Sequence, residues 1–288
     1  MTTAEILKRV RRIEIKTKGL SNHIFAGEYH SHFKGRGMSF SEVREYTPGD
    51  DVKNIDWNVT ARFSHPFVKV FEEERELTVM LLVDVSASSL FGMHERLKRE
   101  LITEIGAVLS FSAATNNDKV GVIFFSDKVE KFIPPKKGRS HILRIIRELV
   151  ALKPVQSAGT RLSAALEYLN NALKKRTICF VLSDFVSEPY DAALQLAARK
   201  HDLVGVHIYD RNDQELPDAG LVQVMDAETK QFRWLDTGDK PVRQQYAKIF
   251  EQHRQYCRQT FRKSGASLMS LRTDEDYVKI LQGFFKGR

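Results

Sequence analysis

The sequence predicts an α/β fold, a doubly wound and mostly parallel sheet with helices on both faces. Three observations lead there. From Leu77 onward, short apolar runs alternate with stretches of helical periodicity, the order that strand-helix-strand units write into a chain. The runs are dense in Val, Ile and Leu, as strands covered on both faces must be. Three of them end in an acid, at Asp84, Asp184 and Asp210, and the carboxyl edge of such a sheet is where loops converge on a ligand.

In chain order, strands are expected at LTVMLLVD (77–84), KVGVIFFSD (119–127), TICFVLSD (177–184), DLVGVHIYD (202–210) and ASLMSL (266–271), with an antiparallel edge strand through Val129 to Ile133. Between them, Leu97, Leu101, Ile105, Val108 and Leu109 mark one helix, and Leu162, Leu166, Leu169 and Leu173 a second. Tyr246, Ile249, Phe250, His253 and Cys257 mark a third. Thr273 to Asp276 reads as a capping box that opens a last helix through Tyr277, Ile280, Leu281 and Phe284. Residues 1–75 lack this rhythm: a basic, helical stretch gives way to Gly-containing polar sequence and a turn at Pro48-Gly49. They are expected to form an N-terminal extension packed on the sheet, with residues 76–288 as the α/β domain.

Bulk properties narrow the function. With 42% hydrophobic and 28% charged residues among 288, the composition is that of a globular protein. No apolar run approaches the roughly 18 residues of a membrane span, and the N-terminus has basic residues without the apolar segment of a secretory signal. Cys179 and Cys257 have no paired spacing and read as reduced packing residues, so the expected location is the cytoplasm. The net charge of +8 sits at the ends, +4 within residues 1–20 and +6 within 239–288. Basic ends on a neutral body are solvated faces more often than a nucleic-acid footprint.

The strand ends carry the chemistry. Asp84 is followed by Ser86, Ser88 and Ser89, Asp184 by a loop, and Thr160 opens a helix after Gly159. Singly, each is an ordinary helix cap, and Thr160 above all reads that way. Together they offer one crevice nothing but hard oxygens, which suit magnesium. Ser86, Ser88 and Thr160 can give neutral hydroxyl oxygens directly, while Asp84 and Asp184 hold waters and orient the hydroxyls. A divalent cation among mostly neutral ligands keeps excess positive charge and attracts a carboxylate from another molecule.

The set DVSAS (84–88), Thr160 after a Gly, and Asp184 after an apolar strand resembles the metal-ion-dependent adhesion site of von Willebrand factor A domains. The stretch EVREYTPGDDVKNIDWNVTAR (42–62) resembles the signature of the bacterial family called domain of unknown function fifty-eight, whose members join it to a von Willebrand A-like domain. KVGVIFFSD, FVLSDF, LVQVMDAETKQFRWLDT and LRTDEDY match as well, so the likeness covers about residues 35–288. It implies that Asp84, Ser86, Ser88, Thr160 and Asp184 are the metal-site residues, with Ser89 a departure where many relatives carry Met. It further implies a non-enzymatic accessory or adaptor in protein maturation or complex assembly, whose partner is a MoxR-type AAA+ ATPase.

Within 42–62, Arg44 and Arg62 lie among Asp50, Asp51 and Asp56, with Tyr46 and Trp57 as aromatic anchors. Arg-to-Asp bridges that fix a turn, with Trp57 packed on the sheet, are the preferred reading over an interface. A buried Trp57 would make Trp57→Ala cost about 3 to 5 kcal/mol. A metal site at His23, His30 and His32 lacks a cysteine or acid at ligand spacing. The alternative function is a metal-assisted phosphoester hydrolase in the same crevice. A haloacid dehalogenase-type phosphatase would need an acid two residues after Asp84, where Ser86 stands, and His94 and Asp127 are the nearest general bases. No nucleotide-binding or serine-hydrolase motif is present.

Overall fold

The computed structural model describes residues 39–72, 77–86, 98–151, 159–225 and 231–287. Ser88, Ser89, His94 and the three N-terminal histidines lie outside them. Residues 39–72 make a small unit of strand β1 (Ser39–Glu45) paired antiparallel with β2 (Phe67–Glu72), joined through helix α1 (Trp57–Phe63). Asp56 caps α1, accepting from Asn58 N and Val59 N, and Ser64 ends it with a left-handed φ of 59°.

The main sheet follows from β3 (Thr78–Asp84), α2 (Lys98–Thr115), β4 (Lys119–Phe125), β5 (Val129–Lys136), α3 (Arg139–Ala151), α4 (Leu162–Ala172) and β6 (Ile178–Ser183). The chain continues with α5 (Asp191–Lys200), β7 (Asp202–Tyr209), the short α6 (Arg211–Gln214), a hairpin of β8 (Leu221–Met225) and β9 (Phe232–Asp236), α7 (Lys240–Lys263), β10 (Ser267–Arg272) and α8 (Tyr277–Gly287). Six strands lie in the order β10-β7-β6-β3-β4-β5, all parallel except β5, which pairs antiparallel with β4. This is the mostly parallel, doubly wound α/β sheet that the sequence predicts.

The central strand explains the two cores. Successive side chains on a strand point to opposite faces. Val79, Leu81 and Val83 therefore pack with Leu101 of α2, Ile145 of α3 and Leu281 of α8. Met80 and Leu82 pack with Leu166 of α4, Leu194 of α5 and Phe261 of α7. At Gly205 of β7 the approach of α7 is so close that a Cβ would lie 2.6 Å from the Phe261 ring and from Leu268 Cδ1, so only glycine fits.

The strand order reverses between β3 and β6, which are direct neighbours although the chain first runs out to β4 and β5. Ligands of open α/β sheets bind outside the carboxyl ends of the strands at such a switch point, and here Asp84 ends β3 while Ser183 ends β6 with Asp184 just beyond it.

The capping box expected at the start of α8 forms differently. Asp276 caps it by accepting from Val278 N at 3.1 Å, while the Thr273 hydroxyl donates to Asp210 Oδ2 at 2.7 Å. A tertiary partner outcompetes the local one because the buried Asp210 carboxylate needs a donor.

Candidate functional site

Asp84 ends β3 with a fully buried carboxylate. Its Oδ1 accepts from Ser86 N at 2.9 Å, and its Oδ2 accepts from Ser183 Oγ at 2.6 Å. Ser183 Oγ in turn accepts from Phe185 N at 2.9 Å. Asp184 Oδ1 accepts from Val186 N at 3.1 Å. Phe185, between them, has a φ of 58°, a left-handed conformation costing a bulky residue about 1–3 kcal/mol. Its ring is held by Phe261, Tyr190 and His207 at centroid distances of 5.2, 6.2 and 6.0 Å. The packing keeps the strained turn in place, and the turn sets Asp184 beside Asp84.

Thr160 is fastened to the same loop. Its carbonyl accepts from Ser187 Oγ at 2.9 Å and from Glu188 N at 3.2 Å. The next residue, Arg161, donates its N–H to the carbonyl of Ser126, just past β4, at 2.8 Å. The expected cap role of Thr160 does not form: Arg161 holds the cap position of α4, and Leu162 N donates to Ser187 Oγ at 3.1 Å. Thr160 Oγ1 is buried without a hydrogen-bond partner among the described residues, in a residue 3% exposed. An unpaired buried hydroxyl costs about 1–3 kcal/mol.

Electrostatics bind the acids together. Burial, and after it the negative charge of Asp184, pushes the Asp84 carboxyl up to about 6, against the pull of the Ser183 and Ser86 hydrogen bonds. Burial also raises Asp184, opposed mainly by the charge of Lys98. Lys98, at the start of α2, is itself buried; its Nζ lies 2.7 Å from Asp213 Oδ2 and 3.8 Å from Asp184 Oδ2. Burial disfavours the ammonium, but Asp184, Asp213 and Asp210 together hold its pKa above the ordinary lysine value.

Of the five residues expected at the metal site, Asp84, Ser86, Thr160 and Asp184 lie at the carboxyl edge of β3, β6 and the loop before α4, and Ser88 lies outside the described residues. Among the described residues no cluster of three or more His, Cys, Asp or Glu side chains has metal-binding geometry, so the hydroxyls would have to carry the coordination. The orphaned Thr160 Oγ1 fits that role. Lys98 and Asp213 belong to no motif in the sequence, although Lys98 shares the helical register of the buried Leu101 and Ile105. The third strand-end acid, Asp210, is a helix cap: it accepts from Asn212 N and forms a reciprocal capping box with Asp213.

A family model described as protein of unknown function DUF58 matches residues 42–256. The chain belongs to the DUF58 family. An uncharacterized protein of Mycobacterium bovis, Mb1516, is 32% identical over 282 residues, covering 97% of this chain and 88% of its own. The uncharacterized YeaD of Bacillus subtilis is 26% identical over 193 residues, covering 67% and 45%. Among solved structures, BatB of Bacteroides thetaiotaomicron aligns with a TM-score of 0.47 at 15% identity over 73% of this chain and 98% of that one. The SpRpn10 VWA domain aligns with a TM-score of 0.40 at 13% identity over 72% and 93%.

In the segment of this DUF58 chain that carries the family resemblance, the Arg-to-Asp reading holds for one pair. Arg44 Nη1 and Nη2 donate to Asp50 Oδ2 and Oδ1 at 2.8 and 2.7 Å, and Asp50 Oδ2 also accepts from Thr47 N. Asp51 and Asp56 are helix caps. The packing expected of Trp57 is not there: the ring is 67% exposed, as are Phe63 and Val52 nearby to a similar degree. Trp57 opens α1, a seven-residue helix that buries none of its residues, so the ring has no core face to pack against.

No helix of the described residues is long and apolar enough to cross a membrane.

Proposed function

We propose that this DUF58 protein is a non-enzymatic adaptor that binds a partner protein through a divalent-cation site at the β3/β6 switch point. The observation that carries the reading is Thr160 Oγ1, a buried hydroxyl with no hydrogen-bond partner among the described residues, on a loop pinned to that of Asp184. Ser86, Ser88 and Thr160 would hold the ion, magnesium by the hardness of these oxygens. Bound there, the cation supplies a positively charged acceptor for a carboxylate of the partner. The chain's own residues do the rest: Ser183 and Ser86 N–H fix the Asp84 carboxylate, and the Val186 N–H fixes that of Asp184.

From the family resemblance, the partner is a MoxR-type AAA+ ATPase that the adaptor serves in protein maturation or complex assembly. The buried, unpaired thiols of Cys179 and Cys257 accord with a reducing compartment, and we place the protein in the cytoplasm. The phosphoester hydrolase gains no specific support: of its two candidate general bases, His94 lies outside the described residues and Asp127 accepts from Ser126 Oγ at 2.9 Å.

The test is binding of a MoxR-type ATPase from the same organism, measured with magnesium and with chelator, for wild type and Asp84→Ala, Ser86→Ala, with phosphoester turnover assayed in parallel. Association that needs magnesium and disappears in the double variant, without turnover, supports the adaptor. Association indifferent to both chelator and substitution sinks it, and turnover lost on substitution favours the hydrolase.

A further inference from the structure

Lys98 is a built-in cation next to the crevice, and nothing in the sequence motif requires it. Its side chain is 5% exposed, which places a full positive charge in the interior at the carboxyl edge of the sheet. Such a charge survives only where carboxylates surround it, and three do: Asp213 at 2.7 Å, Asp184 at 3.8 Å, and Asp210 farther off. The two closer distances differ in a telling way. Asp213, on α6 beyond β7, makes the hydrogen-bonded ion pair, while Asp184 is near enough to feel the charge without bonding it. Asp213 is in turn fixed, since Asp210 N donates to its Oδ2 at 2.7 Å.

We infer that Lys98 sets the cation affinity of this site: its ammonium, parked on Asp213, keeps the Asp184 side of the crevice only partly negative and holds divalent-ion binding weak. The inference rests on the cation site proposed above. A +2 ion entering beside Asp184 must share the field of that carboxylate with the +1 charge already there, and like charges in a poorly screened interior repel strongly. Removing the ammonium leaves its carboxylate partners uncompensated and strengthens binding. Removing Asp213 has the opposite effect, because the freed ammonium loses its parking partner and turns to Asp184.

The experiment is calorimetric titration of the full chain with magnesium and manganese salts, for wild type, Lys98→Met, Asp213→Asn and Asp84→Asn. Lys98→Met is expected to bind at least tenfold more tightly than wild type, a change of about 1.4 kcal/mol, Asp213→Asn severalfold more weakly, and Asp84→Asn not at all. Binding by Lys98→Met where wild type shows none also supports the inference. Equal or weaker binding by Lys98→Met, with binding still abolished by Asp84→Asn, overturns the role of Lys98 and leaves the cation site standing. Binding that is absent from both wild type and Lys98→Met, or indifferent to Asp84→Asn, overturns both. Should Lys98→Met fail to fold, Asp213→Asn decides alone: affinity equal to or above that of wild type is fatal.

Discussion

Ser183 Oγ and Asp84 Oδ2, 99 residues apart in sequence, meet at 2.6 Å across the switch point of the sheet. The bond joins the ends of two adjacent parallel strands and satisfies an oxygen that has no access to water. Ser183→Ala leaves that oxygen without this donor and also removes the acceptor for Phe185 N. It is expected to destabilise the protein by about 1–3 kcal/mol, read from the midpoint of urea unfolding with an unchanged slope.

Asp84 gives the metal-free protein a pH dependence of unusual sign. Its carboxyl is raised from 3.8 to about 6 by burial and by Asp184, so the folded state holds this proton more tightly than the unfolded chain does. Between those values the folded protein binds more protons, and stability from this group rises as pH falls. The penalty is complete above about 6 and absent below about 3.8. Asp84→Asn is expected to be more stable than wild type at a pH of about 7.5 by on the order of 3 kcal/mol, since each tenfold difference in proton affinity between the two states is worth about 1.4 kcal/mol. The advantage should fade as the pH is lowered toward about 4 in unfolding curves collected in chelator. A constant difference across that range would contradict the assignment.

Gly205→Ala tests the seating of α7 on the sheet. The added Cβ would meet the core Phe261 ring and Cδ1 of Leu268, which packs against that core, and overpacking of this kind costs about 1–3 kcal/mol. The melting temperature is expected to fall, with far-ultraviolet dichroism of the folded state unchanged.

Both tryptophans of the chain lie in solvent, Trp57 67% and Trp234 65% exposed. Trp57→Ala is therefore expected to change stability by less than about 0.5 kcal/mol, the ordinary range for surface sites. Native emission should already be red-shifted and open to acrylamide quenching, so unfolding should move it little. A blue-shifted native spectrum would show a covering surface.

How far the sequence can be read depends on where each residue's partners lie. β3, β4, β6 and β7 are legible because nearly unbroken apolar runs leave few alternatives to buried strands, and β10 because Leu268, Met269 and Leu271 persist around Ser270 in a short stretch after a long helix. The β8–β9 hairpin is not, since its strands are short and Phe232 and Trp234 face outward, a pattern with no core to point at. Thr160 looks like a cap because local rules favour one, yet Ser187, 25 residues beyond Leu162, takes the task. Lys98 carries a charge that ordinarily marks a solvated face; only its position in step with Leu101 and Ile105 betrays that it is inside. Asp84 is legible as a strand-end acid, whereas its partner Ser183 becomes meaningful only once β3 and β6 are known to be neighbours.

The hydroxyl of Ser187 both accepts from Leu162 N and donates to the Thr160 carbonyl, which makes it a pivot pin between helix α4 and the loop that follows β6. One side chain thus ties the start of α4 to the loop that Asp184 begins, and with the Glu188 N–H on the same carbonyl it keeps Thr160 and Asp184 in fixed relation.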